Sequence, residues 1–313
     1  MDKISIIIPC YYNEENIPVT SKVLIENESM FPSDVTFEYV MVDDGSKDNT
    51  WAEILKFQEQ YPAKVKAVKL TRNFGAINAD LAGFHYATGN CNVILSCDLQ
   101  DPPELIKEMY DHWRNGLKLV IAHRTNREES SIQKLLSNTT HKLFKKLALP
   151  EAPEKGFDMV LFDAELREKT IKSNIRNTYL QHYFIFLGYP YVSIPYIRKK
   201  REIGISKWTM SKKMKAFIDS FVSFSYFPIR AISVVGLILG AIAFFYALLI
   251  LYWKIFGEIE MEGWTSNMLV VLFVSSFQMI ALGIIGEYVW RTLDETRNRP
   301  SFVVEETRIQ EEN

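Results

Sequence analysis

The sequence predicts an α/β domain built on a mostly parallel sheet, followed by a pair of membrane-spanning helices. Three observations predict it. Short β-rich runs alternate with helical patterns over the first 125 residues, acidic and polar residues follow those runs, and two long uncharged apolar segments crowd into the last third. Strands that alternate with helices pair in parallel, because each crossover helix returns the chain to the same edge of the sheet.

The β-rich runs are ISIII at 4–8, FEYVMV at 37–42, VKAVKL at 65–70, NVILSC at 92–97 and KLVIAH at 118–123. Helical patterns such as TWAEILKFQEQY and PPELIKEMYDHW separate them. In a sheet of this kind, ligands bind beyond the carboxyl ends of the strands. The residues there are Pro9-Cys10-Tyr11-Tyr12-Asn13-Glu14 after the first run and Asp43-Asp44-Gly45-Ser46 after the second. Ser96-Cys97-Asp98-Leu99-Gln100-Asp101 follow the fourth, so carboxylates gather at one edge. Neither GxGxxG nor GxxxxGK[ST] occurs, so no glycine-rich loop is available to cradle phosphates. A bound diphosphate would instead be neutralised by Mg²⁺ or Mn²⁺ on acidic side chains, helped by Lys and Arg.

The net charge of -2 describes an ordinary soluble protein, but the average hides the last third. Residues 231–253 and 264–286 are 23 residues each and carry no charged side chain. At about 1.5 Å per residue each makes roughly 34 Å of helix, against a hydrocarbon core of about 30 Å. A pair of buried core helices is the alternative, although core helices seldom run so long without a polar face. Lys212, Lys213, Lys215 and Arg230 precede the first segment, and Arg291, Arg297 and Arg299 follow the second. The loop between them holds Lys254 against Glu258, Glu260 and Glu262. Positive flanks stay inside, which predicts a multi-pass protein of the inner or plasma membrane with the catalytic domain and both termini cytoplasmic. The run from Ile4 to Ile8 is too short for a signal peptide core.

The chain accordingly divides into a catalytic domain at 1–206, a juxtamembrane amphipathic helix at 207–230, two transmembrane helices within 231–291 and a cytoplasmic tail at 292–313. In the juxtamembrane segment Met214, Phe217, Ile218, Phe221 and Val222 recur at helical spacing among lysines, a pattern suited to the lipid headgroup layer. Residues 132–148 carry a similar pattern, with Leu135, Leu136, Leu143, Phe144 and Leu147 beside Lys142, Lys145 and Lys146. Either helix could instead pack on the sheet. Cys10, Cys91 and Cys97 lack metal-ligand spacing and should stay reduced, and the five histidines form no zinc motif. No nucleic-acid partner is expected.

Taken together, IIPCYYNEEN, VDDGSKDNT, RNFGAINADLAGFHYATG, SCDLQDPPELI, RKKREIGISKW and the two apolar segments resemble the inverting family 2 glycosyltransferases. Within that family they resemble the polyisoprenyl-phosphate enzymes, which include dolichyl-phosphate mannose synthase and bacterial undecaprenyl-phosphate glucosyltransferases. Each motif is weak alone; their order and spacing make the signal, which covers nearly the whole chain.

The resemblance implies a GT-A fold, with Pro9, Tyr11, Glu14, Asp43 and Asp44 at the nucleotide-sugar and Asp43 facing the base. For Asp44 a turn cap before Thr50 is an equal reading. The family's fourth strand usually ends DxDLQDPP. Here Ser96 replaces the first aspartate, which leaves Asp98 and Gln100 for the metal and predicts weaker binding. Gly156-Phe157-Asp158-Met159 matches a Gly-Asp-Phe-Arg-like stretch, making Asp158 a catalytic base or positioning group, or else a loop carboxylate. Arg201 and Lys207, in a segment like RxxGxSKW, are implied at the donor phosphates, and Arg124 and Arg127 at the acceptor phosphate. The basic run Arg198 to Arg201 also suits anionic membrane lipid.

The implied reaction moves one sugar, from a UDP-hexose or UDP-N-acetylhexosamine, to undecaprenyl phosphate with inversion, feeding a surface glycan and a downstream flippase. A mannose synthase using GDP-mannose is one alternative. A non-catalytic scaffold, with Ser96 marking decay of the metal site, is another. A processive synthase is disfavoured by the lack of QxxRW. Gly236 and Gly240, four residues apart, would permit a homo-oligomer through the transmembrane helices.

Overall fold

The computed structural model describes residues 1–125, 144–153, 156–173, 178–198, 218–219, 221–256 and 263–310. The chain forms two compact units, one of Met1–Ser220 with Pro300–Asn313 and one of Phe221–Arg299.

The first unit is built on an eight-stranded sheet in the order β7-β5-β6-β4-β1-β2-β3-β8. Its strands are β1 (Asp2–Cys10), β2 (Val35–Asp43), β3 (Val65–Leu70), β4 (Cys91–Ile94), β5 (Leu119–Arg124), β6 (Phe157–Asp163), β7 (Tyr191–Tyr196) and β8 (Val304–Arg308). β1 pairs in parallel with β2 and β4, β2 with β3, and β5 with β7. β6 runs antiparallel between β4 and β5, and β8 antiparallel along β3. The five expected strands are present as β1 to β5; the parallel set is interrupted by β6, so the sheet is mixed.

The central strands are apolar on both faces because helices cover both sides. Ile4, Ile6, Ile7 and Ile8 of β1 and Tyr39 to Val42 of β2 are buried almost completely. The first helices are α1 (Ile17–Asn27), α2 (Thr50–Gln60) and α3 (Ala76–Tyr86), and α4 (Leu105–Arg114) follows β4. α1 opens with Pro18 in its first turn, where a missing N–H costs nothing. α3 lies so close to the sheet that a Cβ at Gly83 would sit 2.4 Å from Ile7 Cγ2. α5 (Ala164–Lys172) is capped by Asp163, whose Oδ1 accepts from the Glu165 N–H at 2.9 Å, and α6 (Leu180–Phe186) precedes β7.

This topology places every important strand end on one edge. β1 to β4 and β5 point the same way and finish there, β7 finishes there at Tyr196, and the reversed β6 begins there at Phe157. After β1 the chain winds through β2 and β3 on one flank and then crosses to β4 on the other, which opens a crevice at that edge.

The second unit holds α7 (Phe227–Phe256) and α8 (Trp264–Thr296), preceded by helical residues 221–224. Their apolar side chains face outward: Leu237 is 77% exposed and Phe245 68%. Segments Phe227–Tyr246 and Val270–Thr296 are long and apolar enough to cross a membrane, and their apolar windows are 0% buried. That removes the reading of them as core helices, and the chain is membrane-associated. Gly236 faces the Phe277 ring of α8, while nothing lies near a Cβ built at Gly240. The Tyr288 hydroxyl donates to the Ser225 carbonyl at 2.8 Å, tying α8 to the start of the unit.

Two stretches differ from the expectation. α8 continues ten residues past 286 to Thr296. The stretch read as a cytoplasmic tail at 292–313 ends this helix and then supplies β8. The strand was missed because VEETR is polar, as suits an edge strand: Lys69 of β3 meets Glu305 at 3.2 Å. The juxtamembrane segment lies outside the described residues apart from 218–219 and 221–230, and the 132–148 pattern apart from its last turn, helical at 144–147.

Candidate active site

One side of the crevice is assembled by the ends of β1 and β2. Asp43 closes β2 and is completely buried. Its Oδ1 accepts from the Ser46 N–H at 3.0 Å, while Oδ2 is buried with no hydrogen-bond partner among the described residues. Burial raises the Asp43 pKa despite that bond. A buried acceptor left open at a strand end is available to a hydrogen-bond donor on a ligand.

Asp44 is used differently. Its two oxygens accept from the N–H groups of Phe74 at 2.6 Å and Gly75 at 2.9 Å, at the start of α3. Burial still outweighs these bonds and pushes its pKa up to about 6. The adjoining Gly45 adopts φ +67°, and a Cβ there would meet the Arg72 carbonyl carbon at 2.4 Å. Asp44 thus fixes the Arg72–Gly75 loop against the Asp43 turn. Glu14 likewise meets the protein itself, its Oε2 accepting from the Asn49 N–H at 2.9 Å before α2. Tyr12, in the left-handed region at φ 55°, donates its N–H to Ser46 Oγ at 3.0 Å. Tyr11 packs edge-on against Tyr12, and Pro9 lies opposite Val42, one residue before β1 ends at Cys10 opposite Asp43.

After β4, Ser96 Oγ donates to Asp98 Oδ1 at 2.8 Å, and the same oxygen accepts from the Gln100 N–H at 3.3 Å. Serine and carboxylate therefore stand side by side. Adjacent oxygens around an octahedral Mg²⁺ or Mn²⁺ are about 3 Å apart, so this pair suits one edge of such a shell. Among the described residues no three His, Cys, Asp or Glu side chains gather as a metal cage. A cation here would draw its remaining ligands from phosphate and water. Cys10 and Cys97 are buried, free thiols beneath this turn.

The other side is a network of side chains. Arg124 at the end of β5 clasps Asp158 at the start of β6, Nε to Oδ2 at 2.6 Å and Nη2 to Oδ1 at 2.8 Å. Burial opposes the charge of Arg124, but Asp158 and its neighbours hold the guanidinium pKa above its ordinary value. Tyr196 at the end of β7 donates to Asp101 at 2.5 Å and lies 3.3 Å from Asp158. Arg198 Nε approaches Asp101 at 3.3 Å. A pocket beside this network is lined by Arg124, Phe144, Ala152, Pro153, Gly156, Phe157, Asp158, Tyr179, Gln181 and His182.

Hence the two groups assigned from sequence to separate tasks, Asp158 and Arg124, form one bidentate pair. Asp101, Tyr196, Arg198 and Tyr179 were not identified as site residues. Asp101 had a signal in the QDPP run and Arg198 in the RKKREIGISKW segment, where it was read for anionic lipid; Tyr196 depends on register across β5 and β7, and Tyr179 had no signal. Arg127, Arg201 and Lys207 lie outside the described residues.

Residues 5–171 match the family model for glycosyl transferase family 2. The chain belongs to that family. It is a glycosyltransferase with a GT-A α/β domain. It is 32% identical to the SfII prophage-derived bactoprenol glucosyl transferase of Shigella flexneri, over 97% of this chain and 98% of that one. It is equally 32% identical to the uncharacterized glycosyltransferase YkcC of Bacillus subtilis, over 97% of this chain and 93% of the other. Among solved structures, mannosyl-3-phosphoglycerate synthase from Rubrobacter xylanophilus resembles it with a TM-score of 0.47 and 14% identity, over 70% of this chain and 71% of that one.

Proposed function

We propose that this glycosyltransferase moves a single sugar from a nucleotide-sugar to the phosphate of undecaprenyl, the bactoprenol lipid, with inversion. The likeness to a bactoprenol glucosyl transferase carries this reading, because it runs over 97% of the chain and so takes in both outward-facing apolar helices as well as the sheet. A UDP-hexose or UDP-N-acetylhexosamine is the proposed donor, and the lipid-linked product would feed a surface glycan through a flippase.

In this mechanism an acceptor phosphate oxygen attacks the anomeric carbon and the nucleoside diphosphate departs from the opposite face. A phosphate monoester is already anionic near neutral pH, so positioning and charge matter more than a strong base. Asp43 holds the base and Asp44 holds the loop that frames it. Asp98, with Ser96 and Gln100, would hold Mg²⁺ or Mn²⁺, which supplies charge neutralisation to the leaving diphosphate. The clasp with Asp158 takes Nε and Nη2 of Arg124 and leaves Nη1 to meet the acceptor phosphate. Asp158 is then a positioning carboxylate for that arginine. Arg201 and Lys207 are proposed at the donor phosphates and Arg127 beside Arg124.

The sheet holds residues on both sides of the apolar pair, since the chain leaves it before 221 and rejoins it after 299. Covalent continuity of this kind requires an even number of crossings. It supports two spans with both ends on one side, which the basic flanks make the cytoplasmic side. A homo-oligomer through α7 and α8 is proposed with Gly240 at the contact, as it is open to a second helix.

The test uses purified protein in detergent with undecaprenyl phosphate, Mg²⁺ or Mn²⁺ and a panel of nucleotide-sugars, read by mass spectrometry of the lipid. One donor should give a one-sugar lipid, lost on chelation. A folded protein that forms no product from any donor would return the scaffold reading built on Ser96.

A further inference from the structure

Asp101 and Tyr196 have no task in the transfer described above, yet they bridge its two halves. Asp101 ends the turn that carries Ser96, Asp98 and Gln100, and Asp158 belongs to the clasp on Arg124. The Tyr196 hydroxyl donates to Asp101 Oδ1 at 2.5 Å and lies 3.3 Å from Asp158 Oδ2. Register puts it there. β7 runs parallel to β5 with Tyr196 opposite Arg124, and the Tyr196 carbonyl accepts from the Thr125 N–H at 2.9 Å and from Thr125 Oγ1 at 3.1 Å. With its main chain fixed to the end of β5, Tyr196 reaches past that strand to β6 and to the turn after β4.

The turn needs an anchor on this flank. Leu99, between Asp98 and Gln100, lies in the left-handed region at φ 51°, a conformation that is costly for a residue with a Cβ and persists where its surroundings dictate it. From the α1 side, Thr20 Oγ1 donates to the Cys97 carbonyl at 2.7 Å and Asn27 Nδ2 to the Pro103 carbonyl at 3.1 Å. From the β7 side the turn is held through Asp101, which is 4% exposed and has Arg198 Nε 3.3 Å from the same oxygen. Tyr196 is nearly as deeply buried, at 6%, so water competes little for these bonds. Burial, followed by the charges of Asp158 and Asp101, raises the pKa of the phenol, so the hydroxyl keeps the proton that it donates.

We propose that the Tyr196 hydroxyl is a positioning group for the transfer step, tying the turn that would hold the cation and the leaving diphosphate to the arginine that would meet the acceptor phosphate. Toward one side it acts through Asp101, toward the other through Asp158, and it touches neither substrate. What it sets is the separation of the attacking oxygen from the departing group. A displacement is steeply sensitive to that separation, with about 100-fold lost for about 1 Å of misplacement. A residue that gripped one substrate would change the affinity for that substrate; one that spaces the two changes turnover when both are bound. The inference rests on the transfer reading above and deepens it by assigning a positioning residue to the same site.

Full-length enzyme in detergent carrying Tyr196→Phe, Asp101→Asn or both would be assayed with undecaprenyl phosphate and the nucleotide-sugar that the wild type uses. Tyr196→Phe keeps the ring and removes only the hydroxyl. It should lower kcat by about 30-fold, with KM for each substrate and calorimetric affinity for the nucleoside diphosphate with Mn²⁺ within about threefold of wild type. Asp101→Asn, which keeps an acceptor oxygen for the phenol, should lose about tenfold in kcat, again at constant KM. The double variant should be no slower than Tyr196→Phe alone, because both changes act on one bond. A hydroxyl that merely stabilised the fold would lower the melting temperature and leave kcat per folded molecule at the wild-type level, and that result overturns the proposal. So does a loss confined to the KM of one substrate, or a double variant whose losses multiply. Should Tyr196→Phe fail to fold, Asp101→Asn decides alone, and wild-type kcat there is equally fatal. If wild type glycosylates no lipid with any donor, the transfer reading falls and takes this one with it; an active wild type matched by both variants removes this inference alone.

Discussion

Glu38 and Asp43 lie five residues apart on β2, both buried, and they have opposite fates. Toward the amino end of the sheet, Glu38 accepts from Ser5 at 2.5 Å and from Thr88 at 2.7 Å, and pairs with Lys66 at 2.6 Å and Lys3 at 3.2 Å. Burial alone would raise its pKa, but these partners outweigh it and hold it at about 2. At the carboxyl end, Asp43 keeps an oxygen with no partner among the described residues, and Asp44 is raised to about 6. One half of the strand satisfies its acid and gains stability. The other keeps one unmet acceptor among the described residues, Asp43 Oδ2, at the edge where ligands bind, so along this strand the fully paired acid serves the fold and the half-paired one faces the crevice.

The contrast breaks most visibly at Glu38. Glu38→Gln should cost about 3 kcal/mol in denaturant unfolding, because it removes the buried charge that Lys66 and Lys3 both face, yet leave activity per folded molecule unchanged. At Arg124 the order reverses. Arg124→Lys loses the two-pronged clasp on Asp158 and should lower lipid glycosylation by roughly 100-fold, with a smaller change in melting temperature. Asp43→Asn should weaken calorimetric binding of the nucleoside diphosphate by roughly tenfold while the fold is unharmed.

Acidity separates the halves as well. Glu38, whose folded pKa is depressed, contributes stability above its unfolded value of 4.5 that is lost as pH falls toward about 2. Asp44 is raised, so the folded state holds its proton longer, and this contribution is lost as pH climbs from 3.8 toward about 6. Carboxyl-resolved NMR titration should find the two groups on opposite sides of the ordinary range. The smallest effect belongs to the surface: Lys69→Ala, which removes the ion pair with Glu305, should cost below about 1 kcal/mol and vanish in high salt.

Legibility in the sequence followed locality. β1 to β5 showed as apolar runs because their burial comes from consecutive residues, and the acidic strand-end motifs lie directly behind them. β7 was hidden by Pro195, tolerated on the outermost strand of the sheet, and β8 by its charges. The Arg124–Asp158 clasp joins residues 34 apart through antiparallel register, which no motif encodes. Ser96 was read as a weakening of the metal site, and in the fold it bonds the remaining aspartate directly.

The pairing of β8 with β3 also orders events during synthesis. Residues 65–70 are made early, but their outer edge has no partner until residues 304–308 emerge, after both apolar helices. Until then the nascent sheet carries an open flank, the kind of surface on which chains aggregate. A ribosome that stalls within the hairpin therefore releases a sheet still lacking its edge strand, so completion of the catalytic half waits on manufacture of the membrane half.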